Sequence, residues 1–372
     1  MGTEPTNNVI RYDEHGFFDP ARELPRLTGI LLDRLEKASS DPTRWLCTNV
    51  SVDFGREEDG SQQDASYDNP DARLRYTLQY AYSYGYEYYL MYRDILLNMA
   101  EDRCVPNVLG VTSFGCGNGV DYWGLNCALA NTHETIASAQ GRSYLPVNWH
   151  GIDKFDWSDC RFPITDMHAK SFWGNPPSGY RTVDVTDYVK SGQARKDGAL
   201  SSDIYIFPKS TLELESSLPA LKAFFGRVAE TTDRDRIYIA FAPPHATDAE
   251  DEQSDEGIWR KGGHIMNFIV AAIRELYETF DISFARTADK FEDDLPIIEH
   301  VKKYETGWPA AIPGGDPECA VAFRSLATLS NLCPAKGRCR NPNCPVDRYP
   351  MTRSRYLSYR IWALERREHP RG

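Results

Sequence analysis

Three glycines at alternate positions, Gly115, Gly117 and Gly119, close a short apolar run that begins at Val108 and ends at Phe114. An amphipathic segment follows directly. Glycine reaches backbone conformations that a Cβ forbids, and it lets the chain pass bare against a neighbouring group. A strand, a glycine turn and a helix in this order form the point at which a parallel α/β sheet receives a nucleotide-type ligand.

The rest of the chain supplies the sheet that such a turn requires. The pattern predicts strands over 108–114, 147–152 (ending at Asp153), 181–185, 203–207, 236–241, 282–286 and 319–323, with helices over 212–228 and 258–280. Alternation of this kind builds a mainly parallel sheet with helices on both faces. Ahead of it, Asp19-Pro20 starts a helix carrying Leu24, Leu27, Ile30, Leu31 and Leu35. A polar loop over 51–70 follows.

Residues 73–99 hold eight tyrosines. Tyr80, Tyr82, Tyr84, Tyr86 and Tyr88 alternate as in a strand, whereas Leu74, Leu78, Tyr82, Tyr89, Tyr92, Leu96 and Met99 form a helical stripe. Length, Leu/Met/Arg flanks and the lack of proline favour a helix, weakened at Gly85. Its rings are expected to pack on the core, with some hydroxyls lining a pocket over the glycine turn. The chain thus divides into an N-terminal helical, tyrosine-rich extension (1–100), a ligand-binding domain (101–326) and a basic tail (327–372) that ends in a helix over 354–366.

The glycine spacing separates two ligand classes. The dinucleotide fingerprint wants a glycine at Val120; the spacing here is Gly115-x-Gly117-x-Gly119, opened as Gly115-Cys116-Gly117. Downstream come an acid at the end of strand two (Gly151-Ile152-Asp153), a pair in Asp184-Val185-Thr186-Asp187, a strand-four terminus ending Pro208-Lys209-Ser210, and a late strand pair. In this order and spacing, residues 100–326 resemble the class I S-adenosylmethionine-dependent methyltransferases.

The resemblance implies a Rossmann-like, seven-stranded, mainly parallel sheet and S-adenosylmethionine as cofactor. Gly115, Gly117 and Gly119 would pass beneath its methionine and ribose. Asp153 would accept hydrogen bonds from the ribose hydroxyls, and Asp184 or Asp187 from the adenine amino group. Any one of these acids, read alone, is a cap or turn residue. Ser113 stands where the family carries an acid for the methionine amino group; it brings no charge, and Asp121 is its nearest replacement. The 34 residues from Gly119 to Asp153 exceed the family's usual first unit, so an insertion is expected near 131–145.

Methyl transfer is an in-line displacement at a carbon already activated by the sulfonium, so positioning contributes much of the catalysis. Lys209, with Ser210 and Glu213 close by, falls where the family keeps substrate-facing residues. His245, behind Pro243-Pro244, is the candidate general base, its alternative being a solvated loop histidine. Asn175-Pro176-Pro177 reads as a turn.

The tail differs in charge. Residues 334–372 carry a local balance of +7 within a chain of net −12, which leaves −19 for the remainder. Cys333-x5-Cys339-x4-Cys344 resembles a degenerate short-spaced CCCH zinc finger, with Arg348 where the family has histidine. The resemblance implies a zinc ion with a fourth ligand from elsewhere, and an RNA partner; the alternative is three exposed thiols in a basic loop. The nine cysteines are odd in number and mostly scattered, as in a reducing, cytoplasmic compartment, and no apolar run approaches membrane-spanning length. Three functions stay open: a methyltransferase acting on RNA, one acting on a small molecule or peptide, and a catalytically silent relative serving as a scaffold.

Overall fold

The fold is that of a computed structural model, which describes residues 29–30, 32–37, 43, 67–141, 145–161, 179–210, 214–242, 266–291, 333–335, 337–338 and 356–367. The first long element is helix α1, Pro70–Glu101. Asn69 caps it by accepting the Asp71 N–H at 2.8 Å, and Pro70 occupies the first turn, where no N–H is needed. The tyrosine run is therefore helical. Tyr76, Tyr80, Tyr84 and Tyr88 fall four residues apart and form a ladder of rings, with centroids 4.9, 4.6 and 6.4 Å apart in succession.

The sheet follows as β1 (Leu109–Phe114), helix α2 (Val120–Gln140), β2 (Val147–Asp153), β3 (Gly179–Thr182), helices α3 (Val185–Lys190) and α4 (Gln193–Lys196), β4 (Ile204–Pro208), helix α5 (Leu218–Thr231), β5 (Arg236–Ala242), β6 (Phe280–Phe291) and β7 (Tyr356–Arg366). The strand order is β3-β2-β1-β4-β5-β7-β6. Strands β1 to β5 pair in parallel, and β7 enters antiparallel between β5 and β6. This is a seven-stranded, mainly parallel, Rossmann-like sheet with helices on both faces.

Side-chain alternation produces the two layers. Ile204 and Ile206 of β4, with Tyr238, Ala240 and Ala242 of β5, join the core under α1 and α2. Tyr205 and Phe207, with Ile237, Ile239 and Phe241, join the opposite core with α3 and α5. Both faces of these strands are buried, which is why their sequences read as continuous apolar runs.

Several boundaries move. The helix expected over 354–366 is strand β7. Tyr359, Ile361 and Ala363 turn to the α1 side, while Trp362 and Leu364 pack into the other core, a period of two that the Arg- and Leu-rich composition conceals. The strand expected over 319–323 lies outside the described residues. Residues 131–140 extend α2 as regular helix, so the long spacing to Asp153 is helix length rather than an insertion. Strand β3 ends earlier than expected because Asp184 caps α3: its carboxylate accepts the Thr186 N–H at 2.7 Å. Helix α5 begins only at Leu218, and residues 266–272 are helical before a tight turn at Arg274–Glu278 leads into β6.

Helices α1 and α2 approach closely through two glycines. A Cβ on Gly85 would lie 1.9 Å from the Trp123 ring, and one on Gly124 would lie 2.7 Å from Tyr88 Cβ and 2.8 Å from the Tyr89 backbone nitrogen. Alanine at an exposed helical glycine gains about 1 kcal/mol of helix propensity. At Gly124 the helix backbones would have to separate, and overpacking of this kind costs about 1–3 kcal/mol. Gly124→Ala is therefore expected to lower the urea midpoint of unfolding, with an unchanged or raised midpoint counting against this packing.

Candidate active site

The chain leaves β1 through a turn in which Gly115, Gly117 and Gly119 all have positive φ, at 70°, 54° and 79°. The amides of Gly115 and Cys116 both donate to the carbonyl of Ile152, at 2.7 and 3.2 Å, which ties the turn to the end of β2. The three glycines serve different ends. A Cβ at Gly115 would lie 2.3 Å from Ser210 Cβ, and one at Gly119 would lie 1.7 Å from the Tyr180 hydroxyl. Ser210 donates to the Phe114 carbonyl at 2.6 Å and Tyr180 to the Asn118 carbonyl at 3.1 Å, so both covers are fastened. Of the three, only Gly117 would accept a Cβ without a clash, in ordinary contact with the Trp157 ring at 3.7 Å. Gly115 and Gly117 border the cleft, whereas Gly119 lies under Tyr180.

Asp153 turns toward that glycine. Its Oδ2 accepts the Gly117 N–H at 2.8 Å and its Oδ1 accepts the Phe155 N–H at 2.9 Å. Burial pushes its pKa up, and those two amides pull against the rise. A cleft of about 600 Å³, its solvent-open mouth included, lies here. Gly115, Gly117, Asp153, Asp184, Lys209 and Ser210 line it, and Tyr67, Tyr76, Phe155 and Trp157 wall it.

The remaining expected residues scatter. Asp184 faces the cleft, but one of its carboxylate oxygens already caps α3, and Asp187 is exposed on the first turn of that helix. Ser113 of β1 and Asp121, in the first turn of α2, are fully buried, away from the cleft lining. The Asp121 carboxylate faces the Ser113 hydroxyl and accepts the Trp149 indole N–H at 3.1 Å. Ser113 therefore supports an internal acid and does not present its hydroxyl to a ligand. His245, Cys339 and Cys344 lie outside the described residues. Cys333 is a free, partly buried thiol packed against the α1–α2 core. Among the described residues no cluster of three metal-binding side chains occurs, and no helix is long and apolar enough to cross a membrane.

Lys209 stands at the cleft in a form the sequence did not reveal. Its φ of 46° is a left-handed conformation rare for a side-chain-bearing residue, and it carries the chain out of β4 under α1. The ammonium is 2.9 Å from Glu87 Oε1 and 2.8 Å from Oε2, and 4.9 Å from the Tyr84 ring centre. The side chains of the pair are 1% and 0% exposed. Burial lowers the lysine pKa, and the Glu87 charge opposes that shift. The one available signal was that Glu87 is the only charged residue between Arg75 and Arg93. Tyr76 is the tyrosine of the 73–99 run that reaches the cleft, while Trp157, Phe155 and Tyr67 were missed as wall residues, for they share no local motif.

Neither a protein-family model nor a curated protein matches the sequence. Among solved structures the chain is similar to the plantazolicin methyltransferase BpumL in complex with a monoazolic desmethylPZN analog and SAH, at 11% identity over 91% of this chain and 100% of that one, with a TM-score of 0.31. It is similar to a SAM-dependent methyltransferase from Thiobacillus denitrificans in complex with S-adenosyl-L-homocysteine (14%, 74% and 91%, 0.29). It is similar also to loganic acid methyltransferase with SAH (9%, 80% and 98%, 0.29). Likenesses this remote add nothing to what strand order and site geometry already carry.

Two measurements test the site. In the folded chain, burial raises the Asp121 pKa to about 7, whereas an unfolded aspartate ionises near about 4. Between those values the folded state binds more protons, so the contribution of Asp121 to stability is full at the acid end and falls as pH rises through the folded pKa. Asp121→Asn should flatten that fall; Asp203, likewise raised to about 7, keeps its own share. Glu87→Ala leaves a buried lysine unpaired and should cost about 3–5 kcal/mol in denaturant unfolding, a loss under 1 kcal/mol counting against a buried pair.

Proposed function

We propose that the chain is an S-adenosylmethionine-dependent methyltransferase. The observation that carries this reading is the Asp153 carboxylate at the carboxyl end of β2, turned back across the glycine turn onto the Gly117 amide. Gly117 offers bare backbone, and Asp153 offers carboxylate oxygens with lone pairs to spare beyond the two amides they accept. Asp184 borders the same cleft and can meet the adenine edge. The cofactor, when bound, supplies an activated methyl group. The chain's own residues position it and exclude water, which is most of what an in-line transfer requires.

Lys209 contributes to this reading as a structural ammonium, since Glu87 holds its charge out of the cleft. His245, three residues past the described end of β5, stays the proposed base for an oxygen or nitrogen acceptor.

The acceptor favoured here is a small molecule or a peptide group, because the cleft wall is built from four aromatic rings. The basic tail argues less for RNA than its charge suggests. The Arg366 guanidinium donates to the carbonyls of Thr232 and Arg234, that of Arg360 to those of Ala288 and Tyr359, and that of Arg367 to Asp281. These three arginines are engaged by groups of the same sheet region. No described residue supports a zinc-bound RNA finger in the tail.

Calorimetric titration with S-adenosylmethionine and S-adenosylhomocysteine tests the reading. Binding of either is expected, and Asp153→Ala should weaken it by about 10- to 150-fold, the worth of hydrogen bonds to a charged group, about 1.5–3 kcal/mol. Silence toward both ligands overturns the assignment. Tight, steeply salt-dependent RNA binding would overturn the small-acceptor preference alone.

A further inference from the structure

We propose that the Ser217 hydroxyl, at the amino end of helix α5, hydrogen-bonds the base of the ligand held in the cleft, making Ser217 a specificity-determining residue of the site. Ser217 lines the cleft and is 4% exposed. A serine just ahead of a helix ordinarily turns its hydroxyl back to the amide two or three residues on. Here the residue two on is Pro219, which has no N–H, and Ser217 has φ −92° and ψ 4° in place of the extended backbone of a capping residue. Its side chain accordingly caps no amide of α5. Among the described residues the hydroxyl has no hydrogen-bond partner. A nearly buried polar group that the fold leaves unused calls for a partner from outside it.

Backbone turns hold the serine in place. The Leu214 N–H donates to the Ser210 carbonyl at 3.0 Å, and the Ser217 N–H donates to the Leu214 carbonyl at 2.9 Å. Helix α3 lies against α5: Arg227 donates to the Val189 carbonyl at 3.3 Å, and Val185, Leu214 and Leu221 share one core with Ile152. The residues that open the two helices, Asp184 and Ser217, both border the cleft, and Ile152, Val185 and Leu214 add apolar surface to its lining. A carboxylate, a hydroxyl and an apolar floor suit a flat ring with a polar edge.

The two polar groups ask for different partners. An ionised carboxylate only accepts, so Asp184 takes an amino group and repels a carbonyl oxygen. A hydroxyl can do either, but the positive end of a helix dipole favours an electron-rich neighbour, so Ser217 donates to a lone pair. An amino group beside a ring nitrogen offers this combination on one edge of an aminopurine. An oxopurine offers the reverse, a carbonyl beside a ring N–H. The inference rests on the proposed cofactor reading, under which the base is adenine and Asp184 meets its amino group. It adds the ring nitrogen that is read and the residue that reads it.

The test is Ser217→Ala, with calorimetry on three ligands: S-adenosylhomocysteine and its 1-deaza and 7-deaza forms, each of which replaces one ring nitrogen beside the amino group by C–H. The substitution should weaken S-adenosylhomocysteine by about three- to tenfold, the worth of one neutral hydrogen bond. It should cost nothing further with whichever deaza form lacks the contacted nitrogen. Because no helix amide depends on the hydroxyl, the urea midpoint of the variant should match that of the unaltered protein, which separates lost affinity from lost fold. An equal loss with all three ligands, no loss with any, or a lowered midpoint overturns the proposal alone. If the unaltered protein binds none of the three, the cofactor reading falls and this proposal falls with it.

Discussion

Two charges buried between a helix and a strand end, Glu87 and Lys209, hold the roof of the cleft to its floor. An ion pair removed from water gains little net stability, since desolvation offsets much of the attraction. What it contributes is position. Lys209 sits in a left-handed conformation that its surroundings must impose, and the pair fixes α1 at one place along β4. Two further ties leave the same side of α1: Thr77 accepts from the Asn118 amide inside the glycine turn at 3.0 Å, and Arg73 clamps the loop after β2. The N-terminal helix is thus a structural part of the site.

This arrangement changes the meaning of the glycine motif. Two of its three glycines make room for the protein's own Ser210 and Tyr180, and Gly115 and Gly117 border the cleft. A pattern of glycines reports where the backbone is crowded, and the crowding group can be a cofactor or a neighbouring side chain. The cleft's chemical character then comes from its second half. Asp153 supplies acceptors, and Trp157, Tyr67 and Tyr76 supply the flat wall.

Strands β1, β2, β4 and β5 were legible because each is apolar on both faces, and acids or glycines mark their ends. Asp153 was legible because its role depends on being last in β2, a position the chain order itself supplies. Strand β7 was misread as a helix because its arginines, leucine and glutamate suit either state locally. Its hydrogen-bond partners lie in β5 and β6, more than sixty residues away in the chain. The tyrosine run was legible as a helix only through its flanks, since the alternating tyrosines mimic a strand until the spacing of four picks out one ladder. Glu87 and Trp157 gave almost no local signal. Their roles exist only where α1 crosses the carboxyl end of the sheet.

Read from end to end, the amino-acid order alone determined a parallel α/β sheet, its glycine turn and the carboxylate beside it, because apolar periodicity and backbone permissiveness act over a few residues. Only the tertiary structure decided what crowds each glycine, that Lys209 is paired, and that the Trp157 indole comes against the Asp153 carboxylate beside the cleft. Those outcomes depend on burial and on distances between segments far apart in the chain, and no local pattern encodes either.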